Sequence, residues 1–219
     1  MSQTNIVIKN DTSETVTLYL TLGATTGSVQ DVSLIPFVTN PIAKKPLQGY
    51  FTLAAGASTA PYAPKPGEGI NGNISLDSPP LNCPTTDFPL AVNLAEFILN
   101  NGYQTGIPQE TLDISGVAGT NAQYEYTMQG GGAWNASVQH ANVTTFENKS
   151  IGNNVGQIGV YPYACDICTA SVAPPICKTK PTGAPSPPVP QTSGICNVQR
   201  DAKTKAGGTV TITLKGRFQ

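Results

Sequence analysis

Short segments in which apolar and polar residues alternate run through most of the chain and predict β-strands. The clearest are residues 15–20 and 208–214, where every second residue is apolar, the period of a strand with one buried face. Gly, Pro, Asn and Asp separate the segments, and no stretch of useful length has the period of a helix. The pattern predicts an all-β fold, either a β-sandwich or a flattened barrel. Further strands are predicted at residues 5–9, 48–53, 72–76, 93–97, 112–115, 123–128, 142–146 and 155–161.

Turn-forming residues suggest how some of these strands connect. Residues 10–13, Asn-Asp-Thr-Ser, predict a hairpin between the first two strands. Residues 130–132 are three glycines, which hold a strand poorly and predict a flexible or left-handed turn. Residues 60–72 are rich in Pro and Gly and predict a loop over one face.

Two of the apolar strands each carry one carboxylate, Glu96 and Asp113, with the turn signal Asn-Asn-Gly at residues 100–102 between them. A carboxylate inside an apolar strand faces solvent or a cleft, because burying an unpaired charge is costly. The pair could act on a glycosidic bond only if the two strands are neighbours. The alternative, which we favour, is that both carboxylates accept hydrogen bonds from loop backbone.

The composition points away from a typical cytosolic enzyme. Only 11% of the 219 residues are charged, whereas Gly (22) and Pro (19) are abundant, and Thr, Ser, Asn and Gln supply the polarity. Such a surface suits secreted proteins, carbohydrate-facing surfaces and self-associating structural proteins, because low charge weakens repulsion between molecules. A single all-β domain over residues 1–219 is expected at this length.

The charge and the apolar runs exclude some partners. A net charge of −1 argues against a nucleic-acid role. No run approaches the roughly 18 apolar residues of a membrane span, and residues 1–5 do not read as a signal peptide. An extracellular or surface location is favoured by composition. The late basic residues are predicted to form a solvated face on a strand pair: Arg200, Lys203, Lys205, Lys215 and Arg217.

Five cysteines leave at least one thiol free or paired between chains. Disulfides among Cys165, Cys168, Cys177 and Cys196 are favoured, with Cys83 as the odd thiol, and a bond between Cys83 and Cys196 is the main competing pair. Zinc is the alternative, because Cys165 and Cys168 have ligand spacing, but the second pair is not a tight CxxC. No metal or other cofactor is predicted. Residues 162–196 are expected to be an irregular Cys- and Pro-rich excursion.

Two passages resemble the thaumatin-like proteins. Asn-Leu-Ala-Glu-Phe at residues 93–97 is similar to the Thr-Leu-Ala-Glu-Phe strand of that family, and Leu-Asp-Ile-Ser at 112–115, with Gly119 and Asn121, resembles its Asp-Ile-Ser strand and following turn. Three other passages resemble the family more weakly: the opening strand pair, residues 49–56 and residues 159–163. The similarity covers most of the chain in order, but only the two middle passages are specific.

The resemblance implies a flattened β-sandwich with a disulfide-rich excursion and, in members that bind or cleave β-glucans, an acidic cleft. Glu96 and Asp113 match two cleft acids of the family. At the place of a third acid this chain has Ala118, and no residue matches the cleft arginine. The family's dense cysteine framework is also mostly missing. These departures argue against hydrolysis.

Trp134 and His140 are two further residues whose side chains could belong to a site. Trp134 follows the glycine run and could stack on a sugar ring or a neighbouring subunit if exposed, or plug the end of the sandwich if buried. His140 is the sole histidine, and its polar neighbours predict a surface position.

The favoured function is a non-enzymatic structural or self-assembling protein on a thaumatin-like scaffold, with the chain itself as its partner. A carbohydrate-binding protein that uses Glu96, Asp113 and Trp134 for a polysaccharide such as β-glucan is the alternative. A β-glucanase with Glu96 and Asp113 as catalytic residues comes third.

Overall fold

A computed structural model describes residues 2–79, 92–103, 108–115, 121–136, 140–147 and 197–217. These residues form thirteen strands and two short 3-10 turns, Val32–Leu34 and Asn101–Tyr103, with no α-helix in the described ranges. The all-β prediction is therefore confirmed. The strands are β1 Asn5–Asn10, β2 Val16–Leu22, β3 Asn40–Pro41, β4 Gln48–Leu53, β5 Ile70–Leu76, β6 Leu94–Leu99, β7 Gln109–Ser115, β8 Ala122–Gln129, β9 Trp134–Ala136, β10 His140–Val143, β11 Thr145–Glu147, β12 Asn197–Asp201 and β13 Thr209–Arg217.

The strands form two sheets. A four-stranded sheet has the order β1-β13-β8-β11, and a nine-stranded sheet has the order β10-β9-β12-β7-β6-β5-β2-β4-β3. Every pairing is antiparallel except that of β1 with β13, which is parallel. The first and the last described strands are thus neighbours in the smaller sheet.

Alternation along each strand turns one set of side chains toward the other sheet. In β2 and β8 every second residue is buried, as the sequence pattern predicted. The two inner faces share one apolar core, and this is the sandwich arrangement. The largest fully buried side chains are Tyr124, Tyr126, Phe51, Ile6, Ile8, Leu18, Leu20, Ile35, Ile70 and Ile74.

The predicted hairpin at residues 10–13 is wrong. β1 joins the four-stranded sheet and β2 the nine-stranded sheet, so the chain crosses between layers at this corner. The buried side chain of Asn10 holds the corner, because its Nδ2 donates to the carbonyl oxygens of Glu14, Leu53 and Ala54. Its Oδ1 accepts from the backbone and the hydroxyl of Thr12. Asn10 therefore replaces the backbone bonds that a hairpin would have made.

The glycine run behaves as the sequence predicts. Gly130 and Gly131 both have φ of +72°, the left-handed region that favours glycine. A Cβ at Gly131 would lie 2.5 Å from Nη1 of Arg200, so only glycine fits there.

The sequence patterns missed β3 and β9, because strands of two and three residues are too short to show an alternation. They also missed β12, whose five residues include a single apolar side chain. The predicted strand at 155–161 and the excursion at 162–196 lie outside the described residues.

Candidate functional site

Glu96 and Asp113 lie directly opposite each other on neighbouring strands. β6 pairs with β7 in a register that places Glu96 against Asp113, so the condition for a joint site is met. Their chain neighbours Ala95, Phe97 and Leu112 are buried in the core, which turns both carboxylates to the outer face of the nine-stranded sheet. Residues paired in this way have Cβ atoms about 4.5–5.5 Å apart, and two like charges so placed destabilise the sheet. These two carboxylates are the centre of the candidate site.

The two carboxylates line a cleft of about 240 Å³. Its other walls come from the ends of β2, from β5 and from the middle of β6 and β7. Asn71 Nδ2 donates to the hydroxyl of Thr25 across one side. Gly23 makes room for that amide, since a Cβ there would lie 2.8 Å from Asn71 Nδ2. The remaining lining residues are Leu22, Gly72, Asn73, Phe97, Ile98 and Thr111.

A transverse row of polar side chains continues from the acids across the sheet. The register places Asn73 beside Glu96, Thr21 beside Asn73, and Gln48 beside Thr21. Within the described part of the chain, Thr21 Oγ1 and Asn73 Oδ1 are buried and have no hydrogen-bond partner. Buried polar atoms are nearly always paired in native proteins, because leaving one unpaired costs about 1–3 kcal/mol. These two atoms therefore point to water or a ligand that supplies donors.

Tyr126 supports the acid pair from inside the sandwich. Its hydroxyl crosses from the four-stranded sheet and lies 2.6 Å from the carbonyl oxygen of Glu96 and 3.1 Å from that of Asp113. The ring stacks on Phe146 with centroids 4.8 Å apart. Burial raises the pKa of Tyr126 well above its ordinary value, and the charges of Asp113 and Glu96 raise it further. The hydroxyl therefore stays protonated and holds the two strands at the site.

A separate buried network lies at the β12 side of the same sheet. Arg200 Nε is 2.6 Å from Glu110 Oε2, and neither side chain has exposed surface. The guanidinium also donates to the hydroxyl of Thr4 and to the carbonyl oxygens of Gly132 and Gly207. The prediction that Arg200 belongs to a solvated basic face is wrong, because a buried carboxylate and three further oxygens satisfy it in the interior.

Trp134 belongs to this network and not to the cleft. It is 3% exposed, and the guanidinium of Arg200 lies 4.2 Å from the centre of its ring. The hypothesis of an exposed Trp134 that stacks on a sugar is therefore wrong, and the alternative of a buried plug agrees with the structure. The short strand β9 turns this residue inward against β12.

Several predicted residues cannot be placed in a site. Cys83, Cys165, Cys168, Cys177 and Cys196 lie outside the described residues, as does Ala118, so the disulfide and zinc hypotheses stay predictions. His140 begins β10, and only its backbone is described. In the described ranges no three His, Cys, Asp or Glu residues come together as metal ligands. No helix in those ranges is long and apolar enough to cross a membrane.

The sequence pointed to the acids but missed Thr21, Asn71, Asn73 and Tyr126. A signal for two of them exists, because Asn71 and Asn73 are two residues apart and alternate with residues buried in β5. Tyr126 gave no such signal. Its role depends on a contact between the two sheets, which no local pattern contains.

Comparisons with known proteins give structural matches alone. No family model and no curated protein sequence matches the chain. Among solved structures, the protein elicitor MoHrip2 from Magnaporthe oryzae is 11% identical, with a TM-score of 0.39, over 97% of this chain and 99% of the elicitor. The thaumatin-like xylanase inhibitor TLXI is 12% identical, with a TM-score of 0.36, over 96% of this chain and 99% of the inhibitor. The described residues form an all-β protein of two sheets.

Proposed function

We propose that this protein binds a neutral polysaccharide of the β-glucan type in the cleft at Glu96 and Asp113, without cleaving it. The observation that carries the proposal is a row of oxygen atoms that begins in that cleft and continues to the neighbouring strand β2. Two carboxylates stand beside Asn73 Oδ1 and Thr21 Oγ1, two buried atoms without a partner among the described residues.

The chemistry of this row selects a class of ligand. Carboxylate and amide oxygens accept hydrogen bonds, and a threonine hydroxyl can also accept. A ligand dense in hydroxyl donors and without negative charge fits such a row, whereas an anion would be repelled by Glu96 and Asp113. Neutral sugars have this character.

The departures from the family's motifs argue against hydrolysis. Ala118 stands at the place of a third cleft acid, and no residue matches the cleft arginine. Glu96 and Asp113 project side by side from adjacent strands, so they can contact one sugar together as binding groups.

We rank self-assembly, which composition favours, second. The outer edge of β1, where a further strand could add, is already hydrogen-bonded by the segment 57–62. Leu34 is the one large apolar side chain that is exposed in the described ranges. The two features oppose association through the edge of β1 and through apolar patches of the described surface.

Calorimetric titration with laminarihexaose, a β-1,3-glucan hexasaccharide, tests the proposal. We expect wild-type protein to bind, Glu96→Gln and Asp113→Asn to lose binding, and none of the three to release reducing sugar. Glu125→Gln is the matched control, since Glu125 lies on β8 in the opposite sheet. Absence of binding by the wild type, or equal binding by all variants, would contradict the proposal.

A further inference from the structure

A pair of tyrosines lies on the same outer face as the acid cleft. Tyr19 on β2 stands directly opposite Tyr50 on β4, with ring centroids 5.3 Å apart and an angle of 36° between the rings. Both are partly exposed, and their chain neighbours Leu18, Leu20 and Phe51 are buried in the core. The rings therefore face outward.

The tyrosine pair and the acids are close enough to contact one extended ligand. The register places Tyr19 beside Ser75, two residues along β5 from Asn73, which in turn faces Glu96. With strands about 4.8 Å apart and a rise of about 3.4 Å per residue, Tyr19 and Glu96 are about 12 Å apart. Thr21 and Asn73 lie between them in the next row. Polar contacts thus continue from the rings to the acids.

The two rows of the sheet that flank the pair carry no charge. Thr17 and Thr52 form the row on one side of the tyrosines, and Thr21 and Gln48 form the row on the other. Aromatic rings beside uncharged hydroxyl and amide groups suit a ligand with apolar C–H faces and hydroxyl edges, which a sugar ring has.

We propose that Tyr19 and Tyr50 form an aromatic subsite that holds a second part of the polysaccharide bound at Glu96 and Asp113. This inference rests on the proposed function and adds that the ligand is an extended chain of several sugar units. The pair also contributes to the sheet as a cross-strand contact. A purely structural role would leave the dependence of binding on ligand length unchanged, and this difference makes the inference testable.

The experiment compares laminaribiose with laminarihexaose on three proteins. We expect Tyr50→Thr to weaken binding of the hexasaccharide about two- to tenfold, the loss of one aromatic contact, and to leave binding of the disaccharide unchanged. Tyr50→Phe keeps the ring and should bind both sugars as the wild type does. Tyr19→Thr is the second variant if Tyr50→Thr fails to fold.

A measurement on unmodified protein supplies an independent readout. The hexasaccharide should alter the near-ultraviolet circular dichroism of the tyrosines, and the disaccharide at saturation should not. The subsite is refuted if Tyr50→Thr and Tyr19→Thr weaken the binding of both sugars equally, or if they weaken the binding of neither sugar. It is also refuted if both sugars give the same spectral change. If the hexasaccharide does not bind wild-type protein, the proposed function fails as well. If it binds but neither the tyrosine variants nor the tyrosine spectrum shows an effect specific to the hexasaccharide, the subsite alone is refuted.

Discussion

Glu110 and Arg200 form an ion pair in which neither side chain has exposed surface, with Nε 2.6 Å from Oε2. The other carboxylate oxygen of Glu110 accepts from the backbone of Asn100 at 2.7 Å. Asn100, with a positive φ of 58°, in turn exchanges hydrogen bonds with the backbone of Thr4. The pair therefore joins the start of β1, the turn after β6 and strands β7 and β12 into one network.

Removing one partner of this pair should be strongly destabilising. Glu110→Gln leaves Arg200 buried without its counter-charge, and loss of one partner of a buried pair typically costs about 3–5 kcal/mol. Denaturant unfolding measures this loss. Lys9→Gln is the control, because Lys9 pairs with Asp11 at the surface and is 38% exposed. A Glu110→Gln protein as stable as the control would contradict the role assigned to the network.

Removing one carboxylate of the pair Glu96 and Asp113, in contrast, should not destabilise the protein. Glu96→Gln or Asp113→Asn removes one of two like charges on paired residues, so stability should hold or rise by up to about 1 kcal/mol. Thermal unfolding of both variants beside Glu125→Gln checks this. A clear fall in the melting temperature of either cleft variant would indicate that its carboxylate serves the fold.

Tyr126→Phe should loosen the support beneath the acids. The change deletes the hydroxyl that reaches the carbonyl oxygens of Glu96 and Asp113, and should lower stability by about 1–3 kcal/mol. It should also weaken laminarihexaose binding, because the two strands lose their common anchor. Tyr19→Phe is the control for the loss of a phenol hydroxyl. Equal stability of the two variants would refute the anchoring role.

Alkaline pH should unfold the protein through its buried tyrosines. Burial raises the pKa of Tyr124 and of Tyr126 above the ordinary value of 10.0. Their contribution to stability is complete below about pH 10, where unfolded tyrosine begins to ionise. It declines at higher pH, because the unfolded chain releases these protons first. We expect the free energy of unfolding to fall above pH 10, and to fall less steeply in the double variant Tyr124→Phe, Tyr126→Phe. Parallel slopes for wild type and variant would contradict this.

The segment 57–62 should protect the edge of β1. The Thr59 amide donates to the carbonyl of Ile8 at 2.9 Å, and the Thr59 hydroxyl accepts from the Ile8 amide at 3.0 Å. Thr59→Pro removes both bonds and exposes unpaired backbone groups, so concentration-dependent self-association should appear in sedimentation experiments. Thr59→Val removes the hydroxyl alone and should have a smaller effect. A Thr59→Pro protein that stays monomeric would show that the edge is protected in another way.

Short apolar segments in the sequence were enough to predict the two strands that carry the acids. Glu96 and Asp113 fall on such strands, and the similarity of these passages to thaumatin-like motifs identified them as candidate acids. The pairing register, which sets the two carboxylates opposite each other, depends on how the connection from residue 100 to 108 folds. From the sequence alone, a joint site at Glu96 and Asp113 could therefore be predicted only on the condition that their strands are neighbours.

Contacts distant in sequence account for what the patterns missed. The local sequence around Arg200 predicts a basic residue at the surface. Its buried partner Glu110 is 90 residues earlier in the chain, so no local pattern shows the pair. The sequence around Trp134 fits an exposed or a buried side chain equally well. The contact of its ring with the buried guanidinium of Arg200 shows that it is buried. The corner at Asn10 has the residues of a hairpin turn, but the side-chain amide directs the chain into the opposite sheet.

The parallel pairing of β1 with β13 also bears on how the protein is made. Asn5 lies beside Thr209 in the register, so the neighbours of this sheet are separated by roughly two hundred residues of chain. During synthesis β1 leaves the ribosome first and has no ladder partner on that side until β13 follows. Such distant pairing makes folding slow and leaves the first strand exposed to wrong partners. We therefore expect the smaller sheet to close only after β13 has left the ribosome, with the segment 57–62 shielding one edge of β1 in the interval.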